Sequence, residues 1–286
     1  MMTSEQLAWK IRRHGIEMTH ISKGSHIGAI LSVTDIIAVL YNDIANVDPQ
    51  NPKMPERDRI ILSKGHAGAA IYAALAEKGF FDVEELKTHY ADGSRLSGHV
   101  SHKGIPGVEF STGSLGHGLS VAAGMAYGAK KDHKDHNVFV ILGDGECDEG
   151  SVWEAALMAN HYRLNNLVAV IDHNKMQSLD FCDNTIELSP FADKWKAFGW
   201  NVIDIDGHNH DELRDAYKKA TSSESKPTVI IANTIKGKGI SFMENNILWH
   251  YRFPHEGEEY DSAVAELKEQ IPEGISDMYE SEAQKI

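Results

Sequence analysis

The amino-acid sequence predicts an α/β fold in which a doubly wound, mainly parallel sheet is flanked by helices. Four apolar runs of strand length follow one another in the second half of the chain: 138–142, 167–171, 201–205 and 228–232. Three helical segments are expected between them: 150–163, 190–198 and 211–222. Strands that alternate with helices are typical of a parallel sheet with right-handed crossovers. Continuous runs rich in β-branched residues are typical of strands that are covered on both faces.

The N-terminal part of the chain is expected to be mostly helical. Ser4 is a candidate cap for a first helix, whose apolar residues Leu7, Ile11 and Met18 fall on one face. Dense apolar or alanine-rich composition predicts three further helices: 32–44, 66–79 and 115–130. These helices therefore precede the sheet as a lead-in.

The whole chain, 1–286, is interpreted as a single domain with three parts. They are a helical lead-in with its loops, a core sheet, and a closing loop with a C-terminal helix: 1–130, 131–240 and 241–286. In the core, Ser189 is expected to cap a helix that has Pro190 at its first position. The C-terminal helix is expected near 262–270.

The composition excludes several classes of function. The chain has 286 residues, a formal net charge of −14 and no basic stripe, so binding of nucleic acid is not expected. No apolar run approaches the roughly 18 residues that a membrane span needs, and the N-terminus lacks the apolar core of a signal peptide. Cys147 and Cys182 lie in no paired motif and are expected to be inert. A cytoplasmic protein without membrane contact is therefore expected.

Polar residues follow two consecutive predicted strands at the points where these strands end. Asp144 stands between Gly143 and Gly145 after one strand, and Asn174 follows the next strand. Because neighbouring parallel strands lie about 4.8 Å apart and end at the same edge, the carboxylate and the amide oxygen are expected side by side. Two hard oxygens suit Mg²⁺ or Ca²⁺, and a glycine turn before a helix suits an anion. The pair therefore predicts a diphosphate site with a divalent cation.

The acidic turn after the first of these strands, residues 144–149, does not match the standard calcium-binding or nucleotide-binding motifs. The spacing of Asp144, Glu146 and Asp148 is similar to the start of an EF-hand loop. Position 6 of such a loop would be Glu149 instead of glycine, and position 12 would be Ala155, so the pattern fails. The glycine patterns of Rossmann and P-loop nucleotide sites are absent from the sequence. A polar turn with a solvated carboxylate remains the alternative that assigns no function.

The segments GDGECDEG (143–150) and IDHNKMQ (171–177) together resemble the signature of thiamine diphosphate enzymes. Further segments resemble the N-terminal half of transketolase: GSHIGAILSVTDIIAVLY, RDRIILSKGHAGAAIYAALAEKG, SGHVSHKGIPGVEFSTGSLGHGLSVAAGMA and KGKGISFMENNILWHYRFP. The resemblance covers nearly the whole chain. It implies the thiamine diphosphate-binding fold and a transferase that moves a two-carbon ketol group from a ketose phosphate to an aldose acceptor.

The resemblance also implies roles for individual residues. The ligands of Mg²⁺ or Ca²⁺ would be Asp144, Asn174 and the backbone carbonyl of Met176. Contacts to thiamine diphosphate would come from His66, Gly113, Ser114, Leu115, Gly145, Glu149, Asn174, Lys236 and His250. The catalytic side chains, which line the substrate channel, would be His26, His66, His99 and His250. Glu149 is alternatively a subunit contact or a plain acid in the first turn of a helix.

The sequence departs from the family pattern at two of these segments. Ile27 stands where the family usually has proline, and His117 stands where it often has glutamine, near the cofactor, where it could alter substrate preference. Several further histidines have no motif. Five of them are expected to be surface residues: His14, His20, His133, His136 and His208. His102 and His210 are assigned no role.

The resemblance finally implies a partner. In this superfamily a glutamate from a second domain activates the cofactor, and nothing after Pro272 could build another sheet. We therefore expect the N-terminal subunit of a split transketolase, active only with a C-terminal subunit that supplies the glutamate, in an α2β2 heterotetramer acting on pentose phosphates. The alternatives are the α subunit of a 2-oxo acid dehydrogenase, a transketolase for a sulfonated or branched sugar, and a non-catalytic binding module.

Overall fold

The computed structural model describes residues 2–279, which contain a five-stranded sheet with parallel neighbours throughout. The strands are β1 (Arg59–Leu62), β2 (Val138–Gly143), β3 (Leu167–His173), β4 (Asn201–Asp206) and β5 (Thr228–Asn233). Their spatial order is β1-β2-β3-β5-β4. The predicted doubly wound parallel sheet is confirmed.

Helices cover both faces of the sheet. In the described range they are α1 (Ser4–Ser22), α2 (Ile27–Val39), α3 (Gly68–Glu77), α4 (Gly118–Lys131), α5 (Gly150–His161), α6 (Cys182–Thr185), α7 (Phe191–Ala197), α8 (His210–Thr221) and α9 (Glu258–Lys268). A π-helical turn, Leu40–Ile44, extends α2. The crossovers between successive strands thus run through helices, as the alternating pattern in the sequence indicates.

Two apolar cores lie on opposite faces of the sheet because alternate residues of a strand point to opposite sides. In β2, Phe139 and Ile141 belong to the core that includes residues of α1, α2, α3 and α8. Val138, Val140 and Leu142 belong to the other core, with residues of α4, α5 and α7. Burial on both faces explains why this strand is a continuous apolar run.

Strand β4 lies at the edge of the sheet, although it precedes β5 in the chain. Its sequence is less apolar than that of the central strands, with Asp204 and Asp206 exposed and Ile203 and Ile205 partly buried. Such alternation is typical of a strand that is only partly covered. The edge position of β4 follows from its pairing with β5 alone among the described strands, which the sequence did not predict.

Three local predictions were wrong. Strand β1 falls within the lead-in that the hydrophobic pattern assigned to helices. Thr3 caps α1 instead of Ser4, because its hydroxyl accepts from the N–H of Gln6 while the Gln6 side chain accepts from the N–H of Thr3. Pro190 precedes α7 as its N-cap instead of occupying its first position.

One helical stretch has the length and hydropathy of a membrane span, contrary to the expectation from the sequence. Residues Ile27–Ile44 have a mean hydropathy of 1.6 over 18 residues, and 83% of this stretch is buried inside the protein. Buried core helices have the same composition as membrane helices, so this is weak evidence for a membrane. Here α2 packs against α1, α3 and β3.

Candidate active site

A cavity of about 400 Å³ lies where β2 and β3 end, which is the edge at which doubly wound sheets bind ligands. Its walls come from separate segments of the chain. Polar, charged and glycine residues in the walls include His26, Lys64, His66, His99, Gly113, Gly143, Asp144, Gly145, Glu146, Asn174, Gln177, Ser178, Lys236, His250 and Tyr251, and Ala29, Leu115 and Met176 also contribute.

The turn after β2 places Asp144 inside the protein. Gly143 of β2 pairs with Asp172 of β3, so Asp144 leaves the sheet beside the residues that follow β3. Asp144 is only 2% exposed. Its Oδ1 accepts from the N–H of Gly145 at 2.8 Å, and its Oδ2 accepts from the N–H of Lys175 at 2.5 Å. The carboxylate is therefore held by backbone donors on both sides of the cavity edge.

Asn174 lines the same cavity, and its amide has a defined orientation. The Nδ2 group donates to Ser32 Oγ at 3.3 Å and to Asp172 Oδ2 at 3.4 Å, while Oδ1 accepts from the N–H of Met176 at 3.2 Å. Because the nitrogen must face the carboxylate of Asp172, the oxygen faces away from it. Asp144 and Asn174 both line this cavity, and their joint binding of one cation stays a prediction.

Asp172 is the centre of the buried polar contacts beneath the cavity. It accepts from Ser32 Oγ at 2.6 Å and from Lys64 Nζ and Thr234 Oγ1. Burial alone would raise the pKa of Asp172, but the Lys64 ammonium and these hydrogen bonds lower it. The charged carboxylate thus joins the end of β3 to helix α2 and to the segments that follow β1 and β5.

Four histidines from separate segments surround one another at the cavity. The ring centroid of His26 lies 5.1 Å from that of His66, 5.1 Å from that of His250 and 5.7 Å from that of His99. His26 has a φ of 76°, a left-handed conformation that is uncommon outside glycine and is found at functional sites. Its Nδ1 is buried without a hydrogen-bond partner among residues 2–279.

The surroundings keep these rings neutral near pH 7. Burial, with the charge of Lys236 contributing, lowers the pKa of His26 to about 4 and that of His250 to about 3. Burial lowers the pKa of His66 well below its ordinary value, and Lys64 adds to the effect. Neutral imidazole has one donor and one acceptor nitrogen, which suits the recognition of hydroxyl and carbonyl groups.

Lys236 is 1% exposed and lies between the histidines and the residues after β3. Its Nζ donates to the carbonyls of Met176 at 3.1 Å and Gln177 at 3.2 Å, and it lies 2.7 Å from His250 Nδ1. Burial, together with the charge of Lys64, lowers the pKa of Lys236 to about 8. The ammonium therefore already contacts the carbonyl that was predicted to ligate a metal.

Asp144 lacks a cationic partner. It forms no ion pair with another residue of the described chain, and burial raises the pKa of its carboxyl. Within residues 2–279 no group of three His, Cys, Asp or Glu residues could hold a metal ion. A buried carboxylate without a cation is unfavourable, so a bound cation would stabilise it. Any metal here would rely on Asp144 together with amide and carbonyl oxygens.

Comparison with known proteins assigns this arrangement to a family. Residues 3–269 match the family model "Transketolase, thiamine diphosphate binding domain". The chain belongs to the transketolase family. Its relatives include the 6-deoxy-6-sulfo-D-fructose transketolase subunit SqwG of Clostridium sp. (strain MSTE9), which is 46% identical over 86% of this chain and 89% of that protein. An apulose-4-phosphate transketolase subunit of Phocaeicola vulgatus is 41% identical over 94% of this chain and 95% of that protein.

Solved transketolase structures share the fold. The transketolase of Campylobacter jejuni has a TM-score of 0.87 and 29% sequence identity, over 99% of this chain and 45% of that one. The transketolase of Leishmania mexicana has a TM-score of 0.87 and 27% identity, over 97% of this chain and 42% of that one. The chain therefore spans less than half of these solved transketolases. The predictions of the thiamine diphosphate-binding fold, a transferase and the N-terminal subunit of a transketolase are confirmed.

Most predicted site residues of this transketolase-family chain line the cavity: His26, His66, His99, Gly113, Leu115, Asp144, Gly145, Asn174, Met176, Lys236 and His250. Ser114 and Glu149 are exposed and do not line it. His117 is also exposed, with Nδ1 2.9 Å from the carbonyl oxygen of Leu115. The roles assigned to these residues stay predictions.

The expectation of surface positions was wrong for several histidines. His14 is 0% exposed and lies between Glu77 Oε1 at 2.8 Å and the Tyr279 hydroxyl at 2.6 Å. His208 is half-buried against Asp35. His20 and His136 are also half-buried, whereas His133 is exposed as predicted.

Both cysteines are buried, and burial raises the pKa of each thiol, which fits the expectation that they are inert.

Six charged or polar residues of the site were missed in the sequence: Lys64, Glu146, Gln177, Ser178 and Tyr251 in the cavity wall, and Asp172 beneath it. Glu146 accepts from the N–H groups of Gly116 at 2.9 Å and Gly143 at 3.1 Å, and from the Ser63 hydroxyl, so it ties the glycine loop to the turn after β2. Lys64 and Asp172 each stand at or just beyond the end of an apolar strand. Their position at a strand end could have identified them, because Asp144 was identified by the same kind of position.

Proposed function

We propose that this chain, together with a C-terminal partner subunit, forms a transketolase that moves a two-carbon ketol group from a ketose phosphate to an aldose. One observation carries this proposal. Neutral histidines from separate segments meet the Asp144–Asn174 edge in a single cavity. Such a cavity offers an anion and cation site at one end and donors and acceptors for sugar hydroxyls at the other.

The residues at the strand ends fit thiamine diphosphate with Mg²⁺ or Ca²⁺. The uncompensated carboxylate of Asp144 and the oxygen of Asn174 would bind the cation, with the carbonyl of Met176 as a third ligand. A Cβ on residue 145 would lie 2.6 Å from Cγ of Gln177, so any other residue at this turn would require the Gln177 side chain to move. When bound, the cofactor supplies the reactive carbon that stabilises charge during cleavage beside a carbonyl group.

The protein's own residues bind, orient and exchange protons. The four cavity histidines would hold the hydroxyls and carbonyl of the sugar and move protons between them. His250 is placed for this because its Nδ1 faces the Lys236 ammonium, which leaves Nε2 for a substrate. Tyr251, which lies beside both His250 and His26, closes the same side of the cavity.

The partner would supply the glutamate that activates the cofactor, in an α2β2 heterotetramer in the cytoplasm. Support for a partner comes from the relatives, several of which are named as transketolase subunits. Pentose phosphates are the default substrates. The same relatives, named for a sulfonated fructose and for apulose 4-phosphate, favour a specialised sugar as the second candidate.

Co-expression with the C-terminal subunit, followed by a screen of donor and acceptor sugars with product identification, tests the proposal. We expect ketol transfer that requires both chains, thiamine diphosphate and a divalent cation. Transfer at a normal enzymatic rate by the single chain would show that no partner is needed. A complex that decarboxylates 2-oxo acids and transfers no ketol group would replace the proposal with the 2-oxo acid dehydrogenase alternative.

A further inference from the structure

A further buried carboxylate, that of Asp35, lies on helix α2 and does not line the cavity. Asp35 is 4% exposed and pairs with both terminal nitrogens of Arg12, at 3.0 Å and 2.5 Å. Two histidines complete its contacts: His208 Nδ1 lies 2.6 Å from Oδ2, and His210 Nε2 lies 3.0 Å from Oδ1. Asp35 thus joins α1 and α2 to the turn between β4 and α8.

The contacts of His208 define its tautomer. Its Nε2 lies 2.8 Å from the backbone nitrogen of Ile235, and a backbone N–H can only donate. Nε2 is therefore the acceptor, so the ring proton is on Nδ1 and is donated to Asp35. His208 therefore donates to the Asp35 carboxylate and accepts from the N–H of Ile235.

Ile235 stands between two residues that reach the cavity region. Thr234 Oγ1 donates to Asp172, and Lys236 Nζ donates to the carbonyls of Met176 and Gln177. The N–H groups on either side are also tied, that of Thr234 to the carbonyl of His173 at 3.2 Å and that of Gly237 to the carbonyl of Gly28 at 3.0 Å. The bond to His208 ties the middle of this segment to the β4–α8 turn, beside the bond from the Gly207 N–H to the Asn233 carbonyl at 2.8 Å.

We propose that Asp35 and His208 form a positioning relay that holds residues 234–236 in place, so that Thr234 and Lys236 keep their geometry at the cofactor site. The proposal rests on the proposed function, because it takes the cavity to be the thiamine diphosphate site. Neither Asp35 nor His208 lines the cavity, and His208 reaches residues 234–236 through the N–H of Ile235.

His210 provides a matched control within the same cluster. It also bonds Asp35, but its other nitrogen lies 2.9 Å from Ser4 Oγ on α1 and not at the backbone of Ile235. Replacing either histidine removes one partner of the same carboxylate. Only the replacement of His208 also releases the N–H of Ile235.

The experiment compares His208→Phe with His210→Phe in the complex with the C-terminal subunit. Thiamine diphosphate is titrated by calorimetry at fixed MgCl₂, and hydrogen exchange is followed in the peptide that covers residues 234–237. We expect the dissociation constant to rise about tenfold in His208→Phe, or about 1.4 kcal/mol, and less than twofold in His210→Phe. Exchange in the peptide should accelerate only in the first variant. His208→Gln, which keeps one donor and one acceptor, should recover part of the affinity.

Equal losses of affinity and equal exchange in the two phenylalanine variants would overturn the relay, because they would show a general loss of stability. If His208→Phe does not fold, the same comparison is made between His208→Gln and His210→Gln, with a smaller expected difference in the same direction. A wild-type complex that does not bind thiamine diphosphate would instead contradict the proposed function, and the exchange measurement would still test the link between His208 and Ile235.

Discussion

Two groups of histidines in this protein differ in what their ring nitrogens contact. The first is the cavity group, His26, His66, His99 and His250, and the second is the network group, His14, His208 and His210. Each network histidine has a partner on both nitrogens, and one of the partners is always a carboxylate. In the cavity group, His26 Nδ1 has no partner in the described chain, and His250 Nδ1 faces a lysine.

The difference shows that burial by itself does not identify a functional histidine. His14, in the network group, is 0% exposed, whereas His250 of the cavity group is 7% exposed and His99 is exposed. Free hydrogen-bonding capacity separates the groups better, because a histidine whose two nitrogens are already occupied cannot also bind a substrate. Neighbouring charge separates them as well: burial keeps His26 and His250 neutral and the charge of Lys236 adds to this effect, whereas each network histidine lies beside a carboxylate.

The strongest test removes the acidic end of the cavity. Asp144→Ala should abolish cation-dependent binding of thiamine diphosphate, because the substitution removes the buried carboxylate that would bind the metal. Calorimetry on the complex with the C-terminal subunit measures this. Asp144→Asn keeps an oxygen for the N–H of Lys175 and isolates the effect of charge. If Asp144→Ala bound thiamine diphosphate with wild-type affinity, Asp144 would not be a metal ligand.

A cavity histidine should affect turnover more than folding. His250→Ala should lower kcat or kcat/KM by about 10²–10⁴-fold, the usual range for loss of a proton-transfer group. Steady-state kinetics with the sugar pair found in the substrate screen provide the measurement. His255→Ala, an exposed histidine on the same segment, is the control. Unchanged kinetics in His250→Ala would exclude this residue from the site.

A network histidine should show the opposite behaviour. His14→Ala leaves Glu77 and the Tyr279 hydroxyl without a shared buried partner, so the free energy of unfolding should fall by about 1–3 kcal/mol. Activity at a temperature well below the unfolding midpoint should not change. Urea unfolding and an activity assay on the same preparation measure both quantities. A large loss of activity with unchanged stability would contradict the division into two groups.

The smallest expected effect is a dependence of stability on pH from the cavity group. The pKa of His26 in the folded protein is about 4 and that of His250 about 3, both below the ordinary value of 6.5. Between pH 6.5 and about 4, the unfolded chain therefore binds protons that the folded chain does not, and the free energy of unfolding falls as the pH falls. Above pH 6.5 both states are neutral and this contribution is zero.

Urea unfolding at pH 7 and pH 5 should show a smaller difference for His26→Asn than for the wild type. The change should be below about 1 kcal/mol, because His26 is only half-buried and one full proton corresponds to about 1.4 kcal/mol per pH unit. His133→Asn, at an exposed position, is the control and should retain the wild-type difference. An equal difference in all three proteins would show that His26 is not held neutral by folding.

The sequence by itself determined the features that depend on neighbouring residues along the chain. Apolar runs of strand length identified four of the five strands, and Asp144 and Asn174 were located because strand ends in a parallel sheet share one edge. The segments around His26, His66 and His250 were recognised as short motifs, and all three residues line the predicted cavity. These features can be predicted without knowing the order of the strands in the sheet.

Only the tertiary structure decided the features that depend on distant partners. The order β3-β5-β4 and the pairing of β1 with β2 follow from contacts between strands that the hydrophobic pattern does not specify. His14 and Tyr279 are 265 positions apart, and Asp172 gathers Lys64, Ser32 and Thr234 from three other segments. A buried polar side chain takes whichever partner folding brings within hydrogen-bond distance, and that partner has no fixed spacing in the sequence.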